Sequence, residues 1–276
     1  MDAANVDARR HASGHLMLIT PERVFYAGLL GRPRQRCSGA FHVYVAIEGG
    51  LLLSLDDARE SQGELAVVPP YQRHTISSDH RAVICATIEP ESVCAGELDD
   101  LAQRLSGPNR PLFAARIRAA YDHLRRQRCR DTVISADIDR LCFGEALPRR
   151  VLDPRVVKAI AQIGRFSGEP VTAESCAAEV ALSASRFLHL FKEETGISFR
   201  SFRAWKRARR LLHFANQDLN LAHLAQDIGY PDSTHFSHSI RRFYGLKPRA
   251  IFSGSRDLAI YGSDRVADSA LTQEAG

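Results

Sequence analysis

The sequence predicts a multi-domain α+β protein, in which an antiparallel β-barrel or sandwich is followed by connecting helices and then by an all-α domain. Three observations predict this arrangement. The length of 276 residues fits about two domains of ordinary size. Short runs of β-branched, aromatic and aliphatic residues, separated by Gly and Pro, fill residues 16–90. From about residue 97 onward, apolar residues recur at the spacing of amphipathic helices instead.

The first part of the chain predicts an antiparallel β domain over residues 16–96. Evenly spaced short strands of this kind are typical of barrels and sandwiches. The strand-like runs are residues 24–30, 41–47, 51–55, 64–68 and 82–88.

A helical connector is predicted over residues 97–150. Phe113, Ile117, Tyr121 and Leu124 form one apolar stripe, which predicts an amphipathic helix. A second helix is predicted at about residues 135–146. The stripe has two explanations that the sequence does not separate: it pairs with a second copy of the chain, or it packs on its own β domain.

Residues 151–253 predict an all-α domain with short loops, because Ser, Thr and Asp residues stand where helices begin. The predicted N-caps are Asp153, Thr172, Ser183, Ser198 and Asp232, and the helices extend over residues 154–166, 173–180, 184–195, 199–214, 221–228 and 233–244. A break is predicted at Gly168–Pro170, and Gly196 and Gly245 suit the residue after a helix. Residues 254–276 are polar and predict a flexible tail.

The positive charge is concentrated in the predicted helical domain. Residues 1–150 carry 20 Arg and 19 acidic residues, whereas residues 151–253 carry 15 Lys or Arg and only 9 acidic residues. A localised basic surface favours a polyanion as partner, because neutralised phosphates release their counterions.

The compartment expected for this chain is the cytoplasm. The longest uncharged apolar stretch, residues 41–47, is too short to cross a membrane, and residues 1–20 lack a secretory apolar run. The six cysteines show no C-x-x-C spacing, so we expect free thiols and no structural metal site; they are Cys37, Cys85, Cys94, Cys129, Cys142 and Cys176.

One pattern occurs twice in the helical domain. Each copy has a short helix with small residues, a tight turn, and a second helix that begins at Ser183 or Asp232. Small residues allow two helices to cross closely, and a polar face on the second helix suits the major groove of DNA. The sequence therefore predicts two helix-turn-helix motifs. The linking stretch W-K-R-A-R-R at residues 205–210 adds further basic residues.

Residues 155–252 resemble the DNA-binding domain of the AraC/XylS transcription regulators. The matching stretches are L-S-A-S-R-F-L-H-L-F-K-E-E-T-G-I-S-F (182–199) and I-G-Y-P-D-S-T-H-F-S-H-S-I-R-R-F-Y-G-L-K-P (228–248). Two departures are Ile240, where an aromatic is usual, and His238, where Arg is common. The resemblance implies that each second helix enters a major groove of double-stranded DNA.

Site residues follow from the resemblance by position. The implied base-reading residues are Ser185, Leu188, His189, Ser233, Thr234, Ser237 and His238. Charge and helix position suggest the phosphate contacts, which are Lys192, Arg203, Lys206, Arg207, Arg241 and Arg242. The family also implies a small-molecule effector, contact with RNA polymerase and often a homodimer. Activation is the family's usual outcome, and repression is the alternative.

The stretch from Gly63 to His74 looks like the second motif of a cupin, with Tyr71 where that motif has Gly. In the family, such a barrel commonly holds the effector and thus acts as the sensor. The candidate effector-binding residues are Arg36, His42, Tyr44, Tyr71 and His74.

An alternative function is a metal-dependent cupin-type enzyme with a basic accessory domain. Such an enzyme needs three or four nitrogen or oxygen ligands. At the positions where such ligands are needed, the barrel stretch offers His42 and His74, while Glu48 lies beside the turn residue Gly49; two histidines are too few, so we expect no metal, no cofactor and no catalysis. The sequence favours a sequence-specific transcription regulator.

Overall fold

The computed structural model describes residues 14–56, 60–127, 133–164, 171–254 and 257–262. Cys129, the break predicted at 168–170 and the part of the predicted tail after residue 262 lie outside these residues. The strands are β1 (Leu16–Ile19), β2 (Arg23–Leu29), β3 (Phe41–Ala46), β4 (Leu51–Leu55), β5 (Glu60–Gly63), β6 (Leu65–Val68), β7 (His74–Ser78), β8 (Ala82–Ile88) and β9 (Ala259–Gly262).

The helices, in chain order, are α1 (Glu97–Ser106), α2 (Arg110–Gln127), α3 (Ser135–Phe143), α4 (Pro154–Gly164), α5 (Ala173–Glu179), α6 (Ala184–Thr195), α7 (Phe199–Arg210), α8 (Leu221–Asp227), α9 (Ser233–Tyr244) and α10 (Pro248–Gly254). Short 3₁₀ turns cover Pro90–Ser92 and Leu211–Phe214. The predicted fold class, a β-rich domain before a helical domain, is confirmed.

The β domain consists of two sheets that face each other. One has the order β6-β3-β8-β2-β1-β9 and the other β5-β4-β7. Alternation along β3 explains why its residues are buried on both sides. Tyr44 and Ala46 point into the apolar interior, whereas Val43 and Val45 point to the outer face of the larger sheet.

The connector helices α1, α2 and α3 cover that outer face. The apolar stripe of α2 is buried there, with Ile117 and Leu124 in the same cluster as Val43 and Val45 of β3. Of the two explanations for the stripe, the structure therefore shows packing on the chain's own sheet.

The tail expected to be flexible from residue 254 contains an ordered strand, so this expectation was wrong for residues 257–262. Strand β9 pairs in parallel with β1, with Leu16 opposite Ala259. Leu258 and Ile260 are buried against Met17 and Ile19. A four-residue strand carries too little sequence pattern to be distinguished from a polar tail.

The helix starts predicted at Thr172, Ser183, Ser198 and Asp232 are confirmed, since each of these side chains accepts a hydrogen bond from the first turn. The helix expected over residues 199–214 ends as an α-helix at Arg210 and continues as a 3₁₀ turn. Helix α7 separates two apolar clusters, one with α5 and α6 and one with α8 and α9.

The two domains share an interface centred on Trp205 of α7. The indole packs with Ala40 and Phe243, and its Nε1 donates to Glu89 at the end of β8. A methyl group added to Gly39 would lie 2.5 Å from Cγ of Trp205. This close contact fixes the helical domain against the β domain.

Candidate nucleic-acid interface

Helices α6 and α9 are the second helices of two helix-turn-helix units. In the first unit, Phe187 and Phe191 bury the inner face of α6, with ring centroids 5.5 Å and 5.2 Å from Phe199 of α7. In the second unit, Phe236 and Ile240 bury the inner face of α9. Ile240 is fully buried, so this departure from the family pattern preserves packing.

The outer faces of both helices carry the predicted base-reading side chains. Ser185, Leu188, His189, Ser233, Thr234 and His238 are exposed, and Ser237 is half-buried. Hydroxyls and imidazoles are able to bond base edges, and the 40% exposed Leu188 is suited to a thymine methyl group. The fold thus places these residue types on two free helix faces.

The predicted phosphate contacts divide into three groups. Lys192, Arg241 and Arg242 are exposed on the same two helices. Arg203 and Arg207 are half-buried on α7: the first donates to the carbonyl of Val171, and the guanidinium of the second lies 5.1 Å from the ring centroid of Tyr230. Both are therefore engaged within the helical domain.

Lys206 is the third case, because in this arrangement of the domains its side chain pairs with two carboxylates of the β domain. Its Nζ lies 2.6 Å from Oε2 of Glu89 and 2.5 Å from Oε1 of Glu91. Arg209 adds a contact of 2.8 Å from Nε to Oε1 of Glu89. Helical periodicity shows which residues share a face, but not which face meets another domain.

The electrostatics of this interdomain ion cluster, formed by Glu89, Glu91, Lys206 and Arg209, differ between its two carboxylates. Burial acts to raise the pKa of Glu89, but the charges of Lys206 and Arg209 outweigh it and leave that pKa below its ordinary value. Burial and the charge of Glu89 raise the pKa of Glu91. Glu89 is therefore the carboxylate whose negative charge Lys206 and Arg209 stabilise.

Sequence reasoning missed this role of Glu89 and Glu91. The sequence signal for this role is the position of Glu89, which directly follows the apolar strand residues 82–88 and precedes Pro90. A charged residue that ends a buried strand needs a buried partner.

Four of the candidate effector-binding residues lie together at one end of the β domain. The Tyr44 hydroxyl is 3.1 Å from Nε2 of His74, and the rings of His42 and Tyr44 stack at 5.4 Å. Arg36 pairs with His74 through an isolated antiparallel bridge. Nδ1 of His74 lies 3.0 Å from the carbonyl oxygen of Gln72; if Nδ1 donates there, Nε2 is the acceptor for Tyr44.

Tyr71, the remaining candidate, faces the domain interface. Burial raises its pKa, and the charges of Glu89 and Glu91 raise it further. Its hydroxyl is buried without a hydrogen-bond partner among the described residues. Tyr71 is therefore placed near the interdomain ion cluster rather than beside the histidines.

The ligand set of a metal-dependent enzyme is not assembled in the described part of the chain, where no three His, Cys, Asp or Glu side chains are grouped for a metal ion. Instead, Nε2 of His42 bonds Ser38, and its Nδ1 lies 3.2 Å from the Thr87 hydroxyl. Within the same described ranges, no helix has the length and apolar character of a membrane span.

Comparison with known proteins identifies the helical domain. A family model described as a helix-turn-helix domain matches residues 176–253. The transcriptional activator RhaS of Escherichia fergusonii is 33% identical over 111 residues, or 39% of each chain. The transcriptional regulator AlkR of Acinetobacter baylyi is 28% identical over 102 residues, or 36% of this chain and 33% of that one. The match thus spans less than two fifths of the length of these relatives.

A comparison of folds extends over both domains. The crystal structure of a single-residue variant of apo ToxT from Vibrio cholerae has a TM-score of 0.51 and 10% identity, and it covers 84% of this chain and 97% of that chain. At this identity, the likeness concerns the fold alone. The family model, rather than this likeness, identifies residues 176–253 as a DNA-binding domain of the helix-turn-helix class. The resemblance of the helical domain to the DNA-binding domain of AraC/XylS regulators is thereby confirmed, and the matched relatives are transcription regulators rather than enzymes.

Proposed function

We propose that this protein is a sequence-specific regulator that binds promoter DNA in the cytoplasm and activates transcription under the control of a small-molecule effector. The observation that carries the proposal is the pair of recognition helices, α6 and α9, whose apolar faces are buried and whose polar faces are free. Activation is supported by RhaS, a relative described as a transcriptional activator, and we propose that it proceeds through contact with RNA polymerase.

Control by an effector requires that the β domain influences the helical domain. Two contacts support this role. The interdomain ion cluster pairs Lys206, a predicted phosphate contact, with Glu89 and Glu91 of the β domain. In addition, the backbone N–H of Cys37 donates to the carbonyl of Arg242 on α9 at 2.7 Å. We propose that an effector acts by altering these contacts.

The base-reading role is tested with His189→Ala and Lys192→Ala, two exposed residues of α6. Selection of binding sites from random duplex DNA identifies the preferred sequence, and affinity is then measured for selected and scrambled duplexes. We expect His189→Ala to cost about 1–3 kcal/mol on the selected site and to relax one base position. Lys192→Ala should weaken both duplexes alike and reduce the salt dependence.

The matched control is His80→Ala, which removes an exposed imidazole from the β domain. It should leave both the selected sequence and the affinity unchanged. An unaltered base preference in His189→Ala would refute its reading role, and failure of the wild-type protein to select any sequence would refute the proposed function.

A further inference from the structure

Arg36 is a buried cation whose charge the described residues leave uncompensated. Its side chain is only 8% exposed. Nε and Nη2 are both buried and neither donates a hydrogen bond to a described residue. Burying an ionised group without a partner is costly, so such a group in a folded protein points to a ligand.

Among the described residues, the titratable groups that interact with Arg36 supply no negative charge at neutral pH. Burial lowers the pKa of His74 to about 4 and that of His42 well below its ordinary value, so both imidazoles are neutral. Burial also raises the pKa of Cys85 to about 12 and that of Tyr44 above its usual range, so the thiol and the phenol stay protonated. The counter-anion must therefore come from outside these groups.

The same protein shows what the Nε and Nη2 edge of a buried arginine binds. Arg23 donates from Nε to Oδ1 of Asp139 at 2.6 Å and from Nη2 to Oδ2 at 2.8 Å. This two-point geometry matches the two oxygens of a carboxylate. In Arg36 the corresponding two nitrogen atoms are the ones without an acceptor among the described residues.

We propose that Arg36 binds the carboxylate of an organic monocarboxylate with an apolar body, and that this ligand is the effector. Its role as effector rests on the proposed function, whereas the binding site itself does not. The apolar character follows from Tyr26, Tyr44 and Cys85, which lie near Arg36 and belong to the apolar interior between the two sheets.

The position of Arg36 connects this site to the second recognition helix. Cys37, the next residue, donates its N–H to Arg242 of α9. Gly245, which ends α9 with φ of 66°, packs so closely that an added methyl would lie 2.9 Å from the carbonyl oxygen of Arg34 and 3.2 Å from that of Gln35. A ligand that binds the Arg36 side chain therefore contacts the segment of residues 34–37, which packs against the C-terminal end of α9.

Thermal unfolding of the full chain tests the site. Benzoate, phenylacetate and hexanoate are the probes, and benzamide and sulfate are the controls for charge and for carboxylate geometry. We expect at least one carboxylate at millimolar concentration to raise the Tm by about 2–4 °C through preferential binding to the folded state. The absence of a shift from all three carboxylates, or an equal shift with benzamide or sulfate, overturns the proposal.

Three variants separate a binding role from a structural one. Without ligand, Arg36→Met should unfold at the wild-type Tm or above it, because it removes a buried unpaired charge and keeps an apolar side chain of similar length. It should not respond to the carboxylates. Arg36→Lys, which keeps the charge but lacks the two-point edge, should respond at least tenfold more weakly, and Arg32→Met, at an exposed position of the same loop, should behave as wild type. A Tm of Arg36→Met several degrees below wild type would show that Arg36 is structural.

The regulatory part is measured separately, as the effect of the active carboxylate on affinity for the selected DNA duplex. The wild type should change its affinity and Arg36→Met should not. Carboxylate binding without sequence-selective DNA binding would refute the proposed function and leave the site intact. DNA binding that no carboxylate alters would refute the effector role alone.

Discussion

Replacing Glu89 with Gln tests the ion cluster at the domain interface. Glu89 is fully buried, and its carboxylate meets Nζ of Lys206 at 2.6 Å and Nε of Arg209 at 2.8 Å. It also accepts a hydrogen bond from Trp205 at 3.0 Å. The substitution keeps the shape of the side chain and removes its charge, so the change in stability reports the electrostatic contribution.

The expected loss follows from these distances. At an effective dielectric constant of about 20, Coulomb attraction at such separations is about 6 kcal/mol for each contact. The cost of removing the carboxylate from water offsets much of this attraction, and removing one partner of a buried ion pair typically costs about 3–5 kcal/mol. Because Lys206 keeps Glu91 as a partner, we expect the lower value, about 3 kcal/mol.

Urea unfolding followed by tryptophan fluorescence measures this loss of stability with a probe at the domain interface. Trp205 is the single tryptophan of the chain and lies against Glu89. The matched control is Glu64→Gln, since Glu64 pairs with Arg118 at 2.7 Å but is 34% exposed. A pair of this exposure contributes about 0–1 kcal/mol. Equal losses for the two variants would refute the conclusion that Glu89 anchors the interface.

Three further predictions concern the same interface. Gly39→Ala should cost about 1–3 kcal/mol, because its methyl would be forced into the indole of Trp205. Gly164→Ala, whose added methyl has no atom of a described residue within 4 Å, should not destabilise the protein. Equal urea midpoints for the two variants would contradict this prediction. The pKa of Glu89 lies below its ordinary value of 4.5, so the ionised carboxylate stabilises the fold above pH 4.5 and this stabilisation is lost as the pH falls through the lowered pKa. The difference in urea midpoint between wild type and Glu89→Gln should therefore shrink in acid. The pKa of Glu91 is raised, so its ionisation destabilises the folded state; as pH rises past 4.5, the urea midpoint of Glu91→Gln should therefore increase relative to that of wild type. Parallel pH profiles of the variants and wild type would contradict both pKa assignments.

Local signals predicted much of the helical domain. Side chains that cap helices act on their own first turn, so Thr172, Ser183, Ser198 and Asp232 were identified without knowledge of the tertiary fold. The burial of Ile240 followed from the helical period in the same way.

Contacts between distant parts of the chain could not be predicted in this way. Lys206 and Arg209 read as a basic surface because the acidic residues that neutralise them stand on the other domain. Strands β5 and β7 are polar in part, and β1 and β9 have four residues each, so their alternation is too short to be distinguished from loops.

The pairing of β9 with β1 has a consequence for how the molecule is made. Almost the whole chain separates the two strands, and β1 presents an open edge until residues 259–262 have been synthesised. The first domain therefore completes its sheet only after the second has emerged. A fragment that ends near residue 150 should associate through this edge, and premature termination would convert the β domain into an aggregation-prone species.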